Sequence, residues 1–353
     1  MTSNLASKLL VIAAAATVAL TGCSGTLGDP GGNGSTKIAL LLPESKTARY
    51  ESFDRPYFEA KLATLGDYEV LYSNADQDAA KQQTQAEAAL VSGVAVLVLD
   101  PVDSAASASI VSAANAQGVP VIAYDRFIKG GKLAYYISFD NEEIGRLQGK
   151  ALVSKLEEDG ATGGILMLNG SPTDANADDF KSGAHSEIDA SDYAVLAEYD
   201  TPDWSPDKAQ EWIAGQITLN DGKFSGVYAA NDGTASGAIA ALKAANVSPM
   251  PIVTGQDAEV SALQRIIAGD QYATIYKAMK QQAEFAAVVA DKLARGEEVT
   301  SDFEVDGTPT TLLNGVIITV DNIMSTVIAD GIYEIDEICT PAYAAACEAA
   351  GIK

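Results

Sequence analysis

Histidine is nearly missing from this chain: His185 is the single one in 353 residues. A metal centre that needs several imidazoles is thereby excluded, and the place of His185 inside the predicted helix ADDFKSGAHSEI argues against a serine–histidine–aspartate triad. Positive charge is scarce too. Lys and Arg number 23 against 48 Asp and Glu, a formal net charge of -25, which repels phosphate backbones and anionic headgroups and argues against a nucleic-acid partner. No GxxxxGK[ST] or GxGxxG loop is present to cradle a nucleotide phosphate, so no cofactor is expected. Heptads, short repeats and long low-complexity tracts are absent as well. What is there, 47% hydrophobic and 20% charged residues, is the balance of a globular protein long enough for two domains.

The N-terminal apolar run, residues 9–20, follows Lys8 and falls short of the ~20 residues that a spanning helix needs, so it reads as the core of an export signal. Leu20, Thr21, Gly22 and Cys23 resemble the lipobox of bacterial lipoproteins. The resemblance implies a signal peptide over 1–22, a lipid on Cys23 and an anchor in the outer face of the cell membrane; an ordinary secretory signal is the alternative. Residues 23–36 are rich in Gly and Ser, as a flexible tether is. Cys339 and Cys347 lie near the other end of an exported chain, so a disulfide is expected, with two free thiols as the alternative. Eight residues of one continuous helix would part the two by about 12 Å. Cys339 must therefore precede the helix that Thr340 and Pro341 open.

From Lys37 onward, short apolar runs alternate with segments of helical periodicity. Ten runs read as strands, from KIALLLP through YEVLYSN, VAVLVLD, VPVIAYD, YYISFD, GILMLN, YAVLAEYD, GVYAAND and PIVTGQD to ATIYK. Such alternation implies parallel sheets covered by helices on both faces, and ten strands divide more easily between two lobes than around one core. The expected class is α/β with two doubly wound lobes. A barrel of eight strand–helix units is the structural rival.

The polar residues gather at the carboxyl ends of these strands, where ligands bind in sheets of this kind. Asp125 and Arg126 close one strand, Asn169 another, Asn231 and Asp232 a third, Asp257 a fourth and Lys277 a fifth. Carboxylates, amides and cations, with Tyr50, Phe127 and Trp204 close to some of them in sequence, suit a neutral carbohydrate: hydroxyls both donate and accept, and an aromatic face covers the C–H side of the ring. Helix capping accounts equally well for any one of these Asp and Asn residues. The run DANADD, residues 174–179, imitates the start of a calcium loop, but Asp179 stands where Gly is needed and His185 where Glu is needed. No metal site is expected.

Six motifs in order, YDRFI (124–128), YISFDNEEIG (136–145), GSPTDANA (170–177), ANDGTASGAIAAL (230–242), GQDAE (255–259) and TIYK (274–277), resemble the D-xylose-binding branch of the periplasmic sugar-binding proteins that serve ABC transporters. The likeness runs from about Lys37 to Tyr333. It implies the type I periplasmic binding protein fold, with three crossover segments joining a lobe of 37–139 plus 258–313 to a lobe of 140–257 plus 314–353. It also implies a monosaccharide held between the lobes by Arg49, Asp125, Arg126, Asp174, Asn176, Trp204, Asn231, Asp257 and Lys277, with Tyr50 beside Arg49. Asp125 would orient Arg126 or bond the sugar, while Phe127 would pack within its lobe. The first loop departs from the xylose pattern, because Arg49-Tyr50 stands where that protein has Arg-Trp. The segment PESKTARY and the segment PIVTGQDAEV look more like a related binder of several aldoses.

The function so implied is a monomeric, lipid-anchored receptor that captures a monosaccharide, D-xylose first, outside the cell and hands it to an ABC permease. Glucose, galactose and arabinose are the alternative ligands. On this reading the protein is not an enzyme, and Asp257→Ala or Arg126→Ala abolishes sugar binding and leaves the fold intact. The rival from another class is a secreted glycoside hydrolase drawing its acid and nucleophile from Asp125, Asp174 and Asp257.

Overall fold

A computed structural model describes residues 35–353. The signal segment, Cys23 and the tether up to residue 34 lie outside the described residues, and Thr36, expected in the tether, opens the first strand. The strands run β1 (Thr36–Leu42), β2 (Tyr68–Asn74), β3 (Val96–Leu99), β4 (Val121–Tyr124), β5 (Tyr135–Phe139), β6 (Gly164–Asn169), β7 (Val195–Asp200), β8 (Phe224–Ala229), β9 (Ile252–Val253), β10 (Thr274–Lys277), β11 (Glu304–Val305), β12 (Thr308–Leu313) and β13 (Gly315–Ile318). Between and after them come α1 (Arg55–Ala63), α2 (Ala79–Val91), α3 (Ala108–Ala116), α4 (Asn141–Glu158), α5 (Ala175–Ile188), α6 (Pro206–Leu219), α7 (Asp232–Ala244), α8 (Val260–Ala268), α9 (Met279–Ala294), α10 (Ile335–Ile338) and α11 (Ala344–Ala349).

Two sheets form, in the order β11-β12-β5-β4-β3-β1-β2 and β7-β6-β8-β9. The pairs β1–β2, β1–β3, β3–β4, β4–β5, β6–β7, β6–β8 and β8–β9 are all parallel. Sequence shows why each is so apolar. In β1, Ile38, Leu40 and Leu42 enter one core cluster while Ala39 and Leu41 enter the cluster on the opposite face. In β6, Ile165 and Met167 divide from Leu166 and Leu168 in the same way. Side chains alternate across a strand, and helices cover both faces here, so neither face can be polar. The barrel is ruled out by the strand orders.

The chain crosses between lobes after β5, after β10 and between β12 and β13. The middle crossing corrects the boundary expected from sequence, which gave 258–277 to the first lobe. Asp257 N donates to the Ile275 carbonyl at 2.8 Å and Tyr272 N to that of Val253 at 2.8 Å, and Thr254 bridges Ala273 in parallel, so β10 extends the second sheet. β13 then pairs antiparallel with β10, and α8 packs with both and with the C-terminal tail. The strands β11, β12 and β13 are absent from the ten expected. In the tail Cys339 caps α10 and bonds Cys347 of α11, with their Cα atoms 5.9 Å apart. Among the described residues no helix is long and apolar enough to cross a membrane.

Candidate ligand-binding site

Between the lobes lies a small hollow. It is walled from one side by Thr47, Arg49 and Tyr50 after β1 and by Asp125 and Arg126 after β4. From the other side come Asp174 and Asn176 where β6 passes into α5, Trp204 after β7, Asn231 after β8, Asp257 after β9 and Lys277 at the end of β10. All ten residues expected from sequence thus line one space. Three more do so that sequence reasoning passed over: Thr47, Phe180 and Gln256. Gln256 stands inside the quoted GQD motif, and its place at a strand tip was the available signal. Asn169 is buried but turns to Glu198 and Asp200 instead.

The charges are paired with care. Arg49, 2% exposed, gives Nε and Nη2 to Asp54 at 2.9 and 2.7 Å, a second Nη2 hydrogen to Gln282 at 2.7 Å, and Nη1 to Asp125 at 3.3 Å. Nη1 also lies 3.4 Å from the second Asp125 oxygen, so all three nitrogens of the guanidinium are engaged by protein acceptors. Arg126 gives Nη1 to the Pro101 carbonyl and Nη2 to the Tyr50 hydroxyl, and its Nε lies 2.9 Å from Asp174 and 3.5 Å from Asp100. The expectation that Asp125 orients Arg126 is therefore corrected: the neighbour in sequence holds Arg49, and the carboxylate across the cleft holds Arg126. Lys277 Nζ lies 2.8 Å from Asp257 Oδ1, close enough to pair but off the line of a hydrogen bond.

Three buried oxygens lining the hollow accept no hydrogen bond from the protein: Asn176 Oδ1, Gln256 Oε1 and Asp257 Oδ1. Such groups cost about 1–3 kcal/mol each when left unpaired. The capping role and the site role coincide in Asp174 and Asn231. Asp174 accepts from Asn176 N at the start of α5 and from Trp204 Nε1 at 3.0 Å, while Asn231 closes a capping box with Thr234. DANADD is thus largely the first turn of a helix. Gly170 matters for the same wall, because a Cβ there would meet the Trp204 ring at 2.2 Å. Three residues of this rim have left-handed backbone, with φ +61° at Asp125, +52° at Trp204 and +99° at Asp257, a region uncommon for residues other than glycine. Phe127 packs edge-on to Tyr136 within its lobe, ring centres 5.0 Å apart.

Burial alone would raise the Asp125 carboxyl, but Arg49, Lys277 and Arg126 outweigh it and bring it down to about 2. Burial dominates for Asp174 and for the fully enclosed Asp100, whose carboxyls are pushed up. Behind the rim, Asp232 accepts from Gln271, Thr274 and the Glu259 amide at 2.9, 2.9 and 3.0 Å. Burial pushes Asp232 up to about 7, and burial together with Asp232 pushes Glu259 up to about 8. Unfolded carboxyls titrate near 4. The folded chain therefore holds protons between pH ~4 and ~8 that the unfolded chain releases, so this pair lowers stability as pH rises through that window. Asp125 acts oppositely, with stability present above pH ~4 and lost as pH falls toward ~2. Thermal midpoints at pH 5 and pH 8 are expected to differ less in Glu259→Gln than in the parent; an equal difference counts against the pair.

Two lobes of parallel sheet clasping a polar hollow define the class of the extracytoplasmic solute receptors, and the chain belongs to the periplasmic binding protein family, whose domain matches residues 38–298. It is 34% identical over 310 residues to the D-xylose-binding periplasmic protein of Escherichia coli K12, covering 86% of this chain and 92% of that protein. It is 29% identical over 326 residues to the multiple sugar-binding periplasmic receptor ChvE of Rhizobium radiobacter, covering 85% and 92%. Among solved structures, an ABC transporter solute-binding protein from Clostridium phytofermentans with bound β-D-glucose superposes with a TM-score of 0.79 at 28% identity, covering 86% of this chain and all of that one.

Proposed function

We propose that the chain is a lipid-anchored, monomeric receptor that encloses one neutral monosaccharide in the interlobe hollow, D-xylose foremost, and presents it to an ABC permease. The observation that carries this reading is the set of buried oxygens that accept no hydrogen bond from the protein, on Asn176, Gln256 and Asp257, in one hollow with the cations of Arg49, Arg126 and Lys277. Hydroxyls that donate to the first and accept from the second satisfy both sets at once. The E. coli and Haemophilus influenzae relatives are D-xylose-binding proteins at 34% and 32% identity, which favours a pentose. Lobe closure about the sugar, the hinge motion of two-lobed binding proteins, is the signal a permease reads. The LTGC segment at 20–23 supports the anchor.

A second reading, a receptor for several aldoses, draws on Arg49-Tyr50 in the first loop and on the multiple sugar-binding relatives. Hydrolysis fits poorly. Asp125, held down at about 2, cannot carry a proton at neutral pH as a general acid must, and Asp174 spends its oxygens on Arg126, Trp204 and the start of α5. A thermal-shift panel of free pentoses and hexoses tests the proposal. D-xylose is expected to raise the midpoint most and to be recovered unchanged. No shift with any aldose, or release of aryl alcohol from aryl glycosides, would overturn it.

A further inference from the structure

Beside the hollow, the lobes meet through a second group of contacts between the loops that follow β3 and β6. Ser104 N donates to the Thr173 carbonyl at 3.0 Å. Ala175 N donates to Ser104 Oγ at 3.1 Å, and Thr173 Oγ1 donates to the Val102 carbonyl at 3.3 Å. Ala175 opens α5, and a helix leaves its first N–H groups without internal partners. Asp174, the residue before it, directs its carboxylate to Asn176, Trp204 and Arg126. Ser104 supplies the missing acceptor from the opposite lobe, and it is 4% exposed, so water does not compete. None of Val102, Ser104, Thr173 and Ala175 lines the hollow.

We propose that Ser104 and Thr173 form a latch that holds the lobes together without touching ligand, and so scales the affinity for every sugar by one common factor. The inference rests on the receptor reading above. These hydrogen bonds exist only while the loops meet, so they weight the equilibrium toward the closed form. When only the closed form binds tightly, the apparent dissociation constant is the intrinsic one divided by the closed fraction. A residue in the hollow changes the intrinsic constant, sugar by sugar. A latch residue changes the fraction, and with it all sugars alike.

Ser104→Ala and Thr173→Val each remove one side-chain hydrogen bond between the lobes, Thr173→Val also losing the contact with Ser171 Oγ inside its own lobe at 3.1 Å, and both leave the loop backbone in place. Each variant is expected to weaken the binding of D-xylose and of a second bound aldose by the same factor, about threefold to tenfold, the worth of one such bond. The ratio of the two affinities stays as in the parent. In small-angle scattering without sugar, each variant shows a larger radius of gyration than the parent. Unchanged affinities overturn the latch, and so does a changed ratio, which marks contact with ligand. If the parent binds no aldose, the receptor reading fails by itself; the scattering comparison then decides the latch, equal radii overturning it.

Discussion

Asp257→Asn lowers the affinity for the bound sugar by roughly a hundredfold to ten-thousandfold. The side chain is 4% exposed, its Oδ1 accepts no hydrogen bond from the protein, and it pairs with the Lys277 ammonium at 2.8 Å. A carboxylate placed so accepts two hydroxyl protons, each charged hydrogen bond contributing about 1.5–3 kcal/mol. The amide keeps the volume but replaces one acceptor with a donor, which then faces the Lys277 ammonium. Titration calorimetry with D-xylose reads the change. An affinity within a few-fold of the parent would remove Asp257 from the site and, with it, the sugar clamp as drawn here.

Arg49→Ala costs the fold about 3–5 kcal/mol, in addition to its effect on ligand. Asp54 and Asp125 are both buried against this guanidinium, and removal of one partner leaves uncompensated charge inside the protein. Asp54 would retain only the uncharged Tyr124 hydroxyl, and Asp125 the Tyr50 hydroxyl and the Gln282 amide with the field of Lys277 and Arg126. Denaturant unfolding of the parent and the variant measures the difference, and a loss below about 1 kcal/mol would mean that the carboxylates relax to solvent or take up protons. The same reasoning corrects the expectation that Arg126→Ala spares the fold. Arg126 stands between Asp174 and Asp100, so its loss also strands two buried acids.

The positions of the site residues were legible because parallel strands end where their apolar runs end. Asp125 and Arg126 after VIAY, Asn231 after VYAA and Lys277 at the end of TIYK announce themselves by the switch from apolar to polar. Their partners were hidden. Asp125 and Arg126 are neighbours in the chain, yet a backbone that turns at φ +61° sends one toward Arg49 and the other toward Asp174, 48 positions further on in the numbering. Thr47 and Phe180 carry no periodic signal, and Phe180 reads as core, which it also is. The strands β11 and β12 were missed because Thr-rich segments such as TPTTLL lack the continuous apolar run of a central strand.

Composition and pattern alone determined that the chain is an α/β protein, short of histidine and of positive charge, whose hydrogen-bonding groups sit at strand tips. Those properties are local: they follow from which side chains occupy which turn of a strand or helix, and each can be read without knowing what lies across the core. Sheet membership and charge pairing were decided only in three dimensions. The segment 258–277 joins the second lobe because Asp257 and Tyr272 find their backbone partners there, and Arg126 pairs with Asp174 of the facing lobe and not with its neighbour Asp125. Both depend on contacts distant in sequence, whose energies exist only once the loops between them have closed.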